Sequence, residues 1–148
     1  MTATNDAYKV TWLVRRLFRA MANKADAYLH DLDLTAADRA VMEFLFPDAQ
    51  LTVPDIARRY QVSRQHVQVT VNRLLDRGLL RSGDNPSHRR SPLIHLSGAG
   101  RSAFAEIRGI ESELLNDVFS NVSTADVATT RRTLETLLGK LSKETLDE

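Results

Sequence analysis

"TVPDIARRYQVSRQHVQVTVNRLLDRG", Thr52 to Gly78, reads as two short helices joined by a tight turn. Thr52 followed three residues later by Asp55 fits a capping box, in which side-chain oxygens satisfy amide donors that the first helical turn leaves unpaired. The acidic third position also suits the positive end of the helix dipole. Pro54 falls in that first turn, where the N–H it lacks would be unbonded anyway. Ile56, Ala57 and Tyr60 continue the helix, "QVS" interrupts it, and Ser63 caps a second. Val67, Val71, Leu74 and Leu75 recur at helical spacing, and Gly78 supplies the stop. Ala57 is small where the helices would cross, and Val62 and Val67 would close the core between them. Gln61 stands where such turns more often carry glycine, because the backbone there tends to be left-handed; the cost is on the order of 1 kcal/mol. The pattern is a helix-turn-helix.

The flanks extend it. On the C-terminal side, Leu79 and Leu80 begin a strand, "GDNPSHRRSP" is rich in turn formers, and "LIHLS" alternates like a second strand, which together make a hairpin. Ser97 then caps a long helix with Phe104, Ile107, Leu114, Leu115 and Val118 on one stripe. Ser123 and Asp126 open a last helix bearing Val127, Leu134, Leu137, Leu138 and Leu141. On the N-terminal side, Thr35 and Asp38 form another capping box, with Ala40, Val41, Phe44 and Leu45 inward and Pro47 as the stop. Residues 6–30 carry a helical stripe of Val10, Leu13, Val14, Leu17, Phe18, Met21, Ala25, Tyr28 and Leu29. The expected fold is mainly α with a small β-hairpin wing (α+β). It is a single unit over 1–148, with a winged helix-turn-helix at 35–97 between N- and C-terminal helices at 6–30 and 98–146.

Composition sets bounds. The 148 residues are 43% hydrophobic and 26% charged, ordinary for a globular chain. The absence of cysteine removes disulfides, thiol redox sensing and CxxC zinc sites. No apolar run reaches the length of a membrane span and "MTATNDAYKV" has no signal core, so a cytoplasmic location is expected. Charge is uneven: Arg58 to Arg90 holds eight arginines against two aspartates, a local +6 in a chain whose formal net charge is +1. A basic block in a nearly neutral chain points to a localised polyanion site.

The second helix has residues to spare for such a partner. Ser63, Arg64, Gln65, His66, Gln68, Val69, Asn72 and Arg73 are not required by the core. Glutamine and asparagine can bond two edge atoms of adenine at once, arginine does the same for guanine, and valine can meet a thymine methyl. Arg58, Arg59, Arg64 and Arg77 are candidates for phosphate contact. The hairpin tip carries His88, Arg89 and Arg90, and an extended arginine there can enter a minor groove, where negative potential is focused. Double-stranded DNA is the expected partner.

The chain resembles the MarR family of bacterial winged-helix transcriptional regulators over essentially its whole length. The resemblance rests on "LDLTAADRAVMEFLF", "LTVPDIARRYQVSRQHVQVTVNRLLDRGLLRS" and the wing. Members commonly carry Asp-x-Arg, five residues, then Leu-Thr. Here "HRRSPLIHLS" keeps Arg90, Leu96 and Ser97 and places His88 where the aspartate that helps hold the wing arginine usually stands. Val69 occupies a position at which relatives often have arginine. The resemblance implies a homodimer with interlocked terminal helices, a repressor of palindromic operators, and release by a small aromatic or anionic effector bound between the dimer helices and the winged region. Trp12, Arg16, Tyr28 and His30 lie on segments that would line such a space; alternatively Trp12 packs in the dimer core and the arginines sit in water. The apolar stripes of the terminal helices independently favour a dimer, since one small winged helix cannot cover them.

Rival readings explain less. "GAGRSA", Gly98 to Ala103, matches a dinucleotide-binding loop between strand and helix, but no second parallel strand or terminal acidic residue follows. Its glycines read better as a helix start. The four histidines are scattered without metal-ligand spacing, no nucleophile elbow is present, and neither a metal, a cofactor nor an enzymatic activity is expected. A winged helix used for protein contact without DNA keeps every core argument, yet leaves the +6 segment unexplained.

Overall fold

The stripe expected over 6–30 lies within a longer helix, α1 (Thr2–Asp31), in a computed structural model that describes residues 2–144 and side chains from 3 to 142. The chain continues through α2 (Ala36–Leu45), α3 (Val53–Tyr60), α4 (Arg64–Asp76), β1 (Leu80–Gly83), β2 (Leu93–Leu96), α5 (Gly98–Val118) and α6 (Thr124–Glu144). Positions 145 and 146, expected at the end of the last helix, lie outside the described residues. Mainly α with a two-stranded antiparallel wing is the observed class.

The caps form where the side-chain chemistry asks for them. Thr35 accepts from the Asp38 amide at 3.1 Å while Asp38 accepts from the Thr35 amide at 2.9 Å, a complete capping box. Thr52 accepts from Asp55 N at 3.2 Å, Ser63 from His66 N at 3.0 Å and Ser123 from Asp126 N at 3.1 Å. Gln61 adopts the left-handed conformation expected at the turn, with φ 58°. Gly78, at φ 72°, closes α4 in a region that disfavours any residue with a Cβ.

Contacts divide the chain into two compact units, Met1–Ile110 and Glu111–Glu148, with the boundary inside α5. The first unit holds the core. Val67, Val71 and Leu74 of α4 are fully buried with Ile56 of α3, Leu45 of α2, Ile94 of β2 and Phe104 of α5. Met42 is also wholly buried, a core position the helical stripe of α2 did not single out, whereas Phe44 is half-buried and meets the Tyr60 ring at a tilt, with centroids 5.9 Å apart. Leu51 makes an isolated antiparallel bridge to Ile94, through hydrogen bonds of 3.0 and 2.7 Å. That bridge ties the entrance of α3 to the base of the wing.

Ser97 joins wing to helix. Its hydroxyl donates to Gly78 O at 2.6 Å and accepts from Gly100 N at 3.0 Å. A Cβ added at Gly100 would lie 2.0 Å from Leu79 O, so only glycine lets α5 start this close to the strand backbone. Gly100 of "GAGRSA" thus has a packing explanation, whereas a Cβ at Gly98 would meet nothing within 4 Å. In the second unit, Leu134, Leu137, Leu138 and Leu141 of α6 remain exposed, as do Leu13, Leu17, Phe18 and Met21 of α1 in the first. No helix among the described residues is long and apolar enough to cross a membrane.

Candidate nucleic-acid interface

Helix α4 is held by its apolar side, which leaves the opposite side outward. Ser63, Arg64, Gln65, His66, Gln68, Val69 and Asn72 are all exposed; Val69 is 59% exposed, an apolar side chain facing water on an otherwise polar surface. The first turn of α4 contains no acidic residue, so its positive dipole end is uncompensated and its amides can meet an anion. Gln68 donates from Nε2 to Asn72 Oδ1 at 2.9 Å, which fixes the two amides side by side on the outer face. At about 1.5 Å per residue, the 13-residue helix is roughly 20 Å long and narrow enough for a major groove about 12 Å wide.

The wing stands beside this face. An open cleft of about 490 Å³ is lined by Arg64, Gln65, Gln68 and Asn72 from α4, by Val53 and Pro54 from α3, and by Arg90 from the wing. Helix and hairpin residues anticipated as separate grips therefore front one concavity. Arg89 lines a second open cleft, of about 580 Å³, along the hairpin tip with Asp84 and Asn85. His88 is exposed; its backbone N–H donates to Asn85 O and its carbonyl accepts from Ser91 N.

The seven arginines expected to meet DNA fall into two groups. Arg59, Arg64, Arg89 and Arg90 are exposed and hold no side-chain hydrogen bond or ion pair among the described residues. Arg58, Arg73 and Arg77 are already engaged. Arg58 pairs with Asp55 at 3.0 Å. Arg77 bonds the carbonyl of Asp33, with the Asp33 carboxylate 3.7 Å away. Arg73, expected on the reading face, turns instead toward α2: its guanidinium bonds the Asp38 carboxylate through Nε at 3.1 Å and through a terminal nitrogen, which also reaches the Thr35 hydroxyl at 3.2 Å. Asp38 is 1% exposed, and a buried carboxylate requires a charged partner. That requirement explains the turn.

Hydrogen bonding from the Thr52 side chain holds the Asp55 carboxyl below its ordinary pKa of 3.8, with Arg58 adding to the effect against a smaller opposing influence of burial. Asp55 stays ionised and anchors both the start of α3 and Arg58.

Trp12, Arg16, Tyr28 and His30 lie on one helix without converging. The Arg16 guanidinium stacks over the Trp12 ring at 4.6 Å, and both residues are exposed. Tyr28 is half-buried against the core and His30 is exposed, sixteen and eighteen residues further along α1 than Trp12. At about 1.5 Å per residue that separation is roughly 24 Å or more, longer than one small molecule spans within a protomer.

The model of the MarR family matches residues 32–91, from the end of α1 through the wing tip. Rv2011c, an uncharacterized protein of Mycobacterium tuberculosis, is 37% identical over 97 residues, which span 66% of this chain and 68% of that one. An uncharacterized protein of Mycobacterium bovis, Mb2034c, matches to the same extent. Among solved structures, the transcriptional regulator BldR from Sulfolobus solfataricus superposes with a TM-score of 0.84 at 19% identity, over 95% of this chain and 99% of that one. A mutant MarR from E. coli complexed with operator DNA superposes with a TM-score of 0.75 at 21% identity, over 90% and 96% of the two chains. MepR from S. aureus in its DNA-binding conformation gives 0.79 at 22%, over 89% and 98%. These structural likenesses establish a shared fold. With the family match running through the capped helix-turn-helix and into the wing, they place this chain in the MarR family.

Proposed function

We propose that the protein is a homodimeric, sequence-specific DNA-binding repressor whose α4 enters the major groove while the wing reaches the adjacent minor groove. One observation carries this reading: Arg64, Gln65, Gln68 and Asn72 share a single cleft with Arg90. Uncommitted guanidinium groups at Arg59, Arg64, Arg89 and Arg90 supply contacts to phosphate or to a narrow groove, where each released counterion favours association. Gln65, His66, Gln68 and Asn72 present donors and acceptors to base edges, and Val69 presents an apolar surface suited to a thymine methyl. A second copy would cover the exposed apolar faces of α1 and α6 and set two reading helices about 34 Å apart, matching a palindromic site.

Release by a small aromatic or anionic effector belongs to the same reading. Its support is the Trp12–Arg16 pair, which offers an aromatic face beside a cation. Loss of DNA binding on titration with aromatic carboxylates, abolished by Trp12→Ala, is the expected behaviour.

The test of the main reading is affinity for duplex DNA as a function of salt. Eight free arginines per dimer, each meeting a phosphate, predict a fall of about ten-thousandfold between roughly 50 and 200 mM monovalent salt. A chain that ignores duplexes at the low end of that range is a protein-contact module instead.

A further inference from the structure

The wing tip is clasped from within. Asn85 accepts from Ser87 N through Oδ1 at 3.1 Å and donates from Nδ2 to Ser91 O at 2.9 Å. Its own carbonyl accepts from His88 N at 3.1 Å, and Ser91 N donates to His88 O at 3.2 Å. Asn85 and Ser91 are half-buried, while every residue from Pro86 to Arg90 between them is exposed. The side chain of Asn85 thus closes the loop from 85 to 91, which is otherwise held by two backbone hydrogen bonds through His88. Pro86 and Pro92, just inside one end and just outside the other, restrict the backbone further. Arg89 and Arg90 are carried by this closed segment, and neither makes a side-chain bond among the described residues that would hold it in place.

We infer that Asn85 is a positioning residue for DNA binding: by bridging the two ends of the tip it fixes the loop that presents Arg89 and Arg90 before DNA arrives. This rests on the proposed DNA-binding reading and adds to it a residue that touches no DNA. A flexible tip would have to be ordered at the moment of binding, and that entropy loss weakens association. Asparagine is suited to the task because its amide both accepts and donates. Aspartate can keep the Ser87 contact but cannot donate to Ser91 O, and alanine keeps neither.

The experiment is a double-mutant cycle on affinity for a duplex bound by the wild-type chain, with Asn85→Ala, the pair Arg89→Ala/Arg90→Ala, and their combination. Two side-chain hydrogen bonds of ordinary strength predict that Asn85→Ala alone weakens binding about tenfold. In the background lacking both arginines the same change has an effect of less than about twofold, because nothing remains to be positioned. Tryptic cleavage after Arg89 and Arg90 in the free protein rises in Asn85→Ala and in Asn85→Asp, while thermal melting of the whole chain stays unchanged. An equal loss in both backgrounds, or no loss in either, overturns the inference while leaving DNA binding intact. A wild-type chain that binds no duplex removes the DNA-binding reading itself, and this inference with it.

Discussion

Asp38 on α2 and Arg73 on α4, 35 residues apart, form a charged contact in which the carboxylate is 1% exposed and the guanidinium side chain 43% exposed. The same carboxylate closes the capping box of α2, so one residue both starts that helix and holds the reading helix against it. Removing Arg73 strands a buried charge. Arg73→Ala is expected to destabilise the fold by on the order of 3 kcal/mol, and to lower the melting temperature by roughly 5–10 °C. Thermal unfolding followed by circular dichroism checks it; an unchanged midpoint would show that the pair contributes nothing to stability.

The free arginines behave differently from the engaged ones. Arg59→Ala and Arg64→Ala should leave the melting temperature within about 2 °C. Each should also reduce the slope of log affinity against log salt by about one for every phosphate that a protomer no longer neutralises. Arg73→Ala, assayed well below its melting temperature, should leave that slope unaltered. Anisotropy titrations at several salt concentrations separate the two groups. A slope change for Arg73→Ala equal to that for Arg64→Ala would place Arg73 on DNA.

Much of this was legible along the chain. Thr35, Thr52, Ser63, Ser97 and Ser123 were each readable as caps because capping is local, needing only an oxygen and an amide three residues on. Val67, Val71 and Leu74 were readable because helical period alone sorts an amphipathic helix. The Asp38–Arg73 pair was not, since no periodicity relates residues on different helices, and Arg73 sits at a position the pattern assigns to the outer face. Met42 was missed because α2 is buried over a broader face than its clearest stripe. The Leu51–Ile94 bridge and the Asn85 clasp depend on how loops fold back, which residue type hints at and only the folded chain specifies.

Gly98 and Gly100 invite a direct contrast. Gly100→Ala forces a Cβ against Leu79 O, a backbone atom with little room to yield, and should cost about 2–3 kcal/mol. Gly98 has nothing within 4 Å of the added atom, so Gly98→Ala should be neutral or stabilise by up to about 1 kcal/mol. Chemical denaturation of both variants decides. Equal effects would contradict the packing role given to Gly100.

Asp55 predicts a pH dependence whose sign follows from its lowered pKa. The folded state binds that proton less readily than the unfolded chain, so the carboxylate's stabilising contribution is fully present above the ordinary value of 3.8 and is lost as pH falls through the lower folded value. Asp55→Asn should therefore flatten the loss of stability below about pH 4 relative to the parent chain. Unfolding midpoints between about pH 2 and 6 span that carboxylate range and measure it. A parallel acid profile for both chains would show that Asp55 is not held ionised by Thr52 and Arg58.

In the proposed function, two copies of this chain present α4 and the wing to duplex DNA as a matched pair. Selection of bound duplexes from a randomised pool at low ionic strength, read out by sequencing, tests it most directly. The expected outcome is an inverted-repeat consensus with half-sites about 10 base pairs apart, centre to centre. A pool that emerges unenriched, from a chain that is folded and retains no duplex, would contradict it.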